Sequence, residues 1–148
     1  MDIFNDLDAE KLKNVVCNIL DEFGLKYRTE QYSHLGSSII GKRRRVDVVI
    51  LDNENEPLMF IECKHQRVSG TTEDKLFRAV SEANRDKLLG TPSIIVFSGF
   101  GWSPADMRHA LLNGAVRVEI LRDWLGLYFR YDKENTGSVH QNCQGVLF

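Results

Sequence analysis

The sequence predicts an α/β fold, a central mixed β-sheet flanked by helices, and two observations carry that class. From residue 58 to 121 strand-like and helix-like segments alternate as strand, helix, strand, helix, strand, which calls for right-handed crossovers between parallel strands. Just upstream, the apolar runs RVDVVILD (45–52) and PLMFIECKH (57–65) are joined by the short polar turn NENEP, the pattern of an antiparallel hairpin. A sheet holding both kinds of pairing is mixed.

Each element has its own signal. Leu12, Val15, Val16, Ile19, Leu20 and Phe23 recur at the spacing of an amphipathic helix, with Asp8 as N-cap and Gly24 at the end. LKYRTEQYS (25–33) alternates as a strand, with Leu25, Tyr27, Thr29 and Gln31 on one side. GSSIIGK (36–42) is a connection, and the two strands of the hairpin follow. Beyond QRVSGTT, Thr71 or Thr72 caps a helix carrying Leu76, Phe77, Val80, Ala83 and Leu88, stopped by Gly90-Thr91-Pro92. SIIVFSG (93–99) is a buried strand of the parallel kind. In SPADMRHALLNG (103–114), Ser103 caps, Pro104 takes the first helical position, Asp106 completes a capping box, and Asn113-Gly114 terminates. VRVEIL (116–121) reads as a last strand, and RDWLGLYFRY (122–131) as a short helix or a further strand. The tail from residue 134 is polar except at its end.

At 148 residues the chain is long enough for one sizeable core, and a single domain over 1–148 is expected. Apolar residues make up 43% and charged residues 27%, which excludes global disorder and a fibrous class. Cys17, Cys63 and Cys143 are odd in number and widely spaced, as for free thiols in a reducing cytoplasm rather than a disulfide framework or a zinc site. No secretory signal and no apolar stretch near the roughly 20 residues that span a bilayer is visible, so a soluble, cytoplasmic protein is expected. The net charge of −2 is neutral about partners, but its distribution is not. Residues 1–25 hold six acids and two bases, whereas residues 26–51 hold six bases and two acids. A polyanion would be met there.

Within the hairpin, Glu62 and Lys64 stand out. They lie two residues apart on a strand and so share a face, while Ile61 and Cys63 turn the other way. The hairpin brings Asp47 of the neighbouring strand close to both. Two carboxylates a few ångströms apart repel unless a cation shares the site. A hard ion such as Mg²⁺ supplies that charge, taking oxygens from Asp47, Glu62 and the backbone carbonyl of Cys63. An ammonium beside it, that of Lys64, positions the attacking water and stabilises charge developing on a phosphoryl oxygen.

Asp47, fourteen residues of strand and turn, then Glu62-Cys63-Lys64 resembles the PD-(D/E)xK nuclease superfamily, which includes restriction enzymes, Holliday-junction resolvases and some homing endonucleases. The resemblance implies a restriction endonuclease-like core, with helix-strand-strand-strand-helix-strand over residues 9–97. It also implies a metal held by Asp47 and Glu62, Lys64 as the catalytic lysine, and Gln66 in the place of a glutamine that some relatives carry. The family's proline is replaced by Val46. An acid of the first helix often joins the site, and of Glu10 and Glu22 we favour Glu10. The activity implied is Mg²⁺-dependent hydrolysis of DNA phosphodiesters, with Mn²⁺ as a substitute, on double-stranded or branched DNA and by a homodimer or higher symmetric oligomer. The competing class is a non-catalytic nucleic-acid-binding or assembly protein that keeps the fold. An isolated Glu-x-Lys pair on a strand is usually no more than a weak surface salt bridge; here the buried-type run and the acid on the partner strand favour a site.

Around this core, Lys42, Arg43, Arg44 and Arg45 form either a solvated face or a phosphate clamp, and their adjacency to the site favours the clamp. Arg67, Ser69 and Thr71, near a helix N-terminus, are further candidates for phosphate contact. His65 faces away from Lys64 and is expected to be satisfied by a local hydrogen bond. The glycine-rich SGFGWS (98–103) lacks the GK[ST] of a P-loop, so Gly99 and Gly101 are expected to make a turn, with Phe100 or Trp102 packing over the sheet end.

Overall fold

The computed structural model of the protein describes residues 8–66 and 74–130. Helix α1, Ala9–Glu22, starts where Asp8 accepts a hydrogen bond from the Lys11 N–H at 2.8 Å, and it ends before Gly24, whose φ of 68° suits a residue without a Cβ. Strands β1 (Lys26–Ser37), β2 (Arg43–Leu51) and β3 (Pro57–His65) follow. Helix α2 (Asp74–Leu88) leads to β4 (Ser93–Ser98), then α3 (Pro104–Leu112), β5 (Val116–Arg117) and α4 (Leu121–Phe129). The sheet order is β1-β2-β3-β4-β5. β1 pairs antiparallel to β2 and β2 to β3, while β3, β4 and β5 run parallel. This is the expected mixed α/β sheet of the restriction endonuclease-like fold, with four helices flanking five strands.

Two elements differ from their sequence reading. β1 continues to Ser37, four residues past the expected end. VRVEIL yields only the two-residue β5, because residues 118–120 wind into a 3₁₀ turn that feeds α4. The following segment is a helix because Leu121, Leu125 and Phe129, all fully buried, recur every four residues and give it one apolar stripe.

Both faces of the sheet are covered. On one, Leu12, Val16 and Leu20 of α1 and Leu121, Leu125 and Phe129 of α4 pack with Val48, Ile50, Met59, Ile61 and Val96. On the other, Leu76, Val80 and Ala83 of α2 pack with Ile95, Phe97 and Trp102, and a smaller cluster joins Val46, Val49, Leu51 and Phe60. Residues two apart on a strand share a face, yet Val48 belongs to the first cluster and Val46 to the last. The side-chain alternation of β2 therefore slips between Val46 and Val48, while its pairing with β1 keeps one register from Thr29↔Val48 to Tyr32↔Arg45. Among the described residues no helix is long and apolar enough to cross a membrane.

Candidate active site

The slip sits where the chemistry is expected. Paired β2 and β3 residues run from Leu51↔Pro57 to Val48↔Ile61, and one step further the register sets Asp47 opposite Glu62. There the Asp47 side chain joins the ladder, its Oδ2 accepting the Cys63 N–H at 2.8 Å. Glu62 and Lys64 project from one face of β3, with Glu62 Oε1 4.0 Å from Lys64 Nζ. Cys63 turns into the apolar core, where burial pushes its thiol well above the ordinary range. Its sulfur is therefore no metal ligand. Three side chains distant in sequence meet at the end of two strands, as expected.

Glu62 carries the strain of this arrangement. Burial first, then a hydrogen bond to Asp47 and the charge of that carboxylate, push its carboxyl up to about 8, against the opposing pull of Lys64 and Arg44. Near neutral pH Glu62 thus favours its protonated form. A hard divalent ion fits this donor set. Among the described residues no group of three or more His, Cys, Asp or Glu side chains is placed to hold a metal. An ion bound by Asp47 and Glu62 would complete its sphere from the Cys63 carbonyl, water and substrate phosphate, the ligands Mg²⁺ commonly takes.

A cleft of about 680 Å³ opens over the pair and is lined by Glu62, Cys63, Lys64 and the basic residues Lys42, Arg43, Arg44 and Arg45. Arg43 lies over the Tyr32 ring at 3.4 Å, and Arg45, 58% exposed at its side chain, pairs with Glu30 at 2.9 Å. Arg44 corrects the clamp reading. Its side chain is buried, with Asp86 at 2.7 Å, Glu62 at 3.6 Å and Glu82 at 3.8 Å, because strand alternation turns the middle arginine of the run under the sheet face. It lines the cleft with its charge already engaged by carboxylates.

The remaining candidates scatter. Gln66 donates from Nε2 to the Gly101 carbonyl at 2.9 Å and accepts from the Gly101 N–H at 2.9 Å, tying the end of β3 to the loop after β4. That close approach requires Gly99, where φ is 88° and a Cβ would collide with the Gln66 carbonyl oxygen. Trp102 packs under this loop and donates to the Ser98 carbonyl at 3.0 Å, while Phe100 stays 64% exposed. His65 meets the Ser98 hydroxyl of the neighbouring strand at 2.6 Å and, like Lys64, lines the cleft. Glu10 is exposed and sits 3.3 Å from Lys13; its neighbour Ala9 lines the cleft. Glu22 is engaged at the far end of α1 by Arg122, at 2.8 and 2.9 Å. Arg67, Ser69 and Thr71 lie outside the described residues, as do the cap candidate Thr72 and Cys143.

Sequence reasoning missed the second wall of the cleft. Lys75, Arg78 and Glu82 of α2 line it opposite the hairpin residues Ser38 and Ile40. Lys75, Arg78 and Glu82 recur at three and four residues, the spacing of one helix face, and that periodicity was the available signal.

With the geometry in place, comparison with known proteins is direct. The chain belongs to the PD-(D/E)XK nuclease superfamily, whose domain model matches residues 3–121. It is similar in fold to the crystal structure of the protein of unknown function AF1548, with a TM-score of 0.52 and 18% identity over 92% of this chain and 79% of that one. A comparison with curated proteins gives no match. Membership supports nuclease-type chemistry on a nucleic acid, and nucleases of this superfamily generally use divalent metals.

Proposed function

We propose that this protein, as a single domain, is a Mg²⁺-dependent endonuclease that hydrolyses phosphodiester bonds of double-stranded or branched DNA, with Mn²⁺ able to replace Mg²⁺. The observation that carries the reading is the convergence of Asp47, Glu62 and Lys64 at the mouth of a cleft rimmed by bases. Asp47 and Glu62 hold the ion. When bound, it supplies Lewis-acid charge and lowers the pKa of its water. Lys64, fixed beside Glu62, orients its ammonium toward the scissile phosphate and offsets charge developing on a phosphoryl oxygen. Lys42, Arg43 and Arg45 on one wall, with Lys75 and Arg78 on the other, bind flanking phosphates and set the register of the duplex. Cutting both strands takes two such sites, hence a symmetric dimer; the protein acts in the cytoplasm. Whether the target is a restriction site, a homing site or a four-way junction rests on the loops around the cleft.

The non-catalytic alternative has one observation in its favour. Arg44, 3.6 Å from Glu62, brings positive charge to that carboxylate without a metal. Incubating supercoiled plasmid and a synthetic four-way junction with wild type and Lys64→Ala, in Mg²⁺ or in EDTA, separates the two. Cuts that need Mg²⁺ and vanish in the variant support the nuclease, and the preferred substrate gives its type. Absence of cuts, together with no stabilisation of the protein by Mg²⁺ or Ca²⁺, supports the binding module.

A further inference from the structure

The two oxygens of Glu62 face different cations. Oε1 faces Lys64 at 4.0 Å, and Oε2 faces Arg44 at 3.6 Å. Arg44 is itself fixed from below: its Nη2 donates to Asp86 at 2.7 Å, and Asp86, fully buried on α2, also accepts from the Ser93 hydroxyl at 2.9 Å. The third carboxylate around the guanidinium, Glu82, lies 3.8 Å from its Nε and accepts the Ile39 N–H at 2.9 Å. Ile39 belongs to the turn between β1 and β2, whose Ser38, Ile40 and Lys42 line the cleft. One buried guanidinium thus joins the carboxylate at the metal position, helix α2 and the hairpin wall that faces substrate.

An ion pair used only to hold α2 on the sheet would be complete with Arg44 and Asp86, since that contact is a full charge-assisted hydrogen bond. The other guanidinium nitrogens face Glu62 at 3.6 Å and Glu82 at 3.8 Å, ion-pair distances without a hydrogen bond. A buried pair of this kind is weak evidence for added stability but good evidence for a fixed geometry. Building on the nuclease reading, we propose that Arg44 is a positioning residue: anchored on Asp86, it fixes the rotamer of Glu62 that presents the carboxylate to the metal, and through Glu82 it locks the hairpin wall to the same frame. Although Arg44 lines the cleft, its role is exerted through Glu62 and Glu82.

Arg44→Lys is the informative variant, because a single ammonium can remain on Asp86 but cannot reach Glu62 and Glu82 as well. Three quantities are read on wild type, Arg44→Lys, Glu82→Gln and Glu62→Gln: Mn²⁺ affinity from the electron paramagnetic resonance of free Mn²⁺, the melting temperature, and DNA affinity in Ca²⁺ across salt concentrations. In Arg44→Lys, Mn²⁺ affinity is expected to fall about 10-fold or more, the usual cost of losing an outer partner of a metal ligand. The salt slope of DNA binding should stay that of wild type. Glu82→Gln, which keeps its shape, should show a smaller fall, and it carries the test if Arg44→Lys does not fold. Mn²⁺ affinity within about twofold of wild type in the folded variants overturns the positioning role. So does DNA affinity in Ca²⁺ that falls in Arg44→Lys while Mn²⁺ affinity holds, which would make Arg44 a phosphate contact. If the nuclease reading itself is at fault, wild type binds no Mn²⁺ or Glu62→Gln binds it equally well. A fault in the positioning claim alone leaves binding lost in Glu62→Gln and kept in Arg44→Lys.

Discussion

On the face of the sheet covered by α1 and α4, one continuous cluster of apolar side chains fills the space between helices and strands. On the α2 face the apolar residues fall into two clusters, and Arg44, Glu82 and Asp86 are buried beside them with Glu62 nearly so. Burying ionised groups costs several kcal/mol each before pairing offsets it. Each large apolar side chain on the other face contributes about 1.5–3 kcal/mol. One side of the sheet stabilises the fold, and the other uses that stability to hold groups in a setting water would never give them.

The largest expected effect attacks the chemical face without touching the apolar one. Lys64→Ala should lower the rate of metal-dependent cleavage by on the order of 10²–10³, the cost of losing one preorganised donor to developing charge, while the melting temperature stays close to wild type. Loss of structure in that variant would erase the distinction between the faces. The mirror experiment is Leu20→Ala on α1, fully buried in the large cluster. It should cost about 2–5 kcal/mol in urea unfolding, and the folded fraction should cleave at the wild-type rate.

Glu62 gives the faces a pH signature. Its carboxyl, near 4.5 when unfolded, is pushed up to about 8 in the fold by burial and by Asp47. Between those values the folded chain holds a proton that the unfolded chain has lost, so the contribution to stability is full below the lower value and is lost as pH rises through the upper one. In EDTA the melting temperature should fall between about pH 5.5 and pH 8.5. Mg²⁺ competes with that proton, so its stabilising effect should be larger at the higher pH. A flat profile would mean that Glu62 does not hold a proton in the fold.

Smaller effects sharpen the comparison further. Lys75→Ala with Arg78→Ala should weaken DNA binding evenly across sequences and reduce the salt slope by about two, roughly one per lost phosphate contact. An unchanged slope would leave α2 out of the interface. Smallest of all, Asp8→Ala removes the α1 cap and should cost about 1 kcal/mol without any change in metal affinity.

Much of this was written in the sequence. The caps Asp8 and Ser103 and the glycines after α1 and α3 fixed helix ends, because these signals are local. Glu62 and Lys64 fell together because strand alternation leaves them no choice, and the polar turn after Leu51 made Asp47 their neighbour. What was not legible is what depends on distant packing. Four bases in a row look alike as letters, and only the placement of α2, with Glu82 and Asp86, turns Arg44 into an internal residue and leaves Arg43 and Arg45 outside. RVDVV reads as an unbroken strand, so the change of face between Val46 and Val48 is invisible until the two apolar clusters form around it. Lys75 and Arg78 stayed hidden because the crossover from β3 to β4, not the helix itself, decides which face of α2 meets the cleft.

The most direct measurement is a calorimetric titration of Mg²⁺ into wild type and Glu62→Gln at neutral pH, in two buffers of different ionisation enthalpy. The account expects wild type to bind the ion with release of a proton, seen as a buffer-dependent heat, and the variant to lose both. Binding that is absent in wild type, or equally tight in the variant, would contradict the claim that Asp47 and Glu62 form a metal centre.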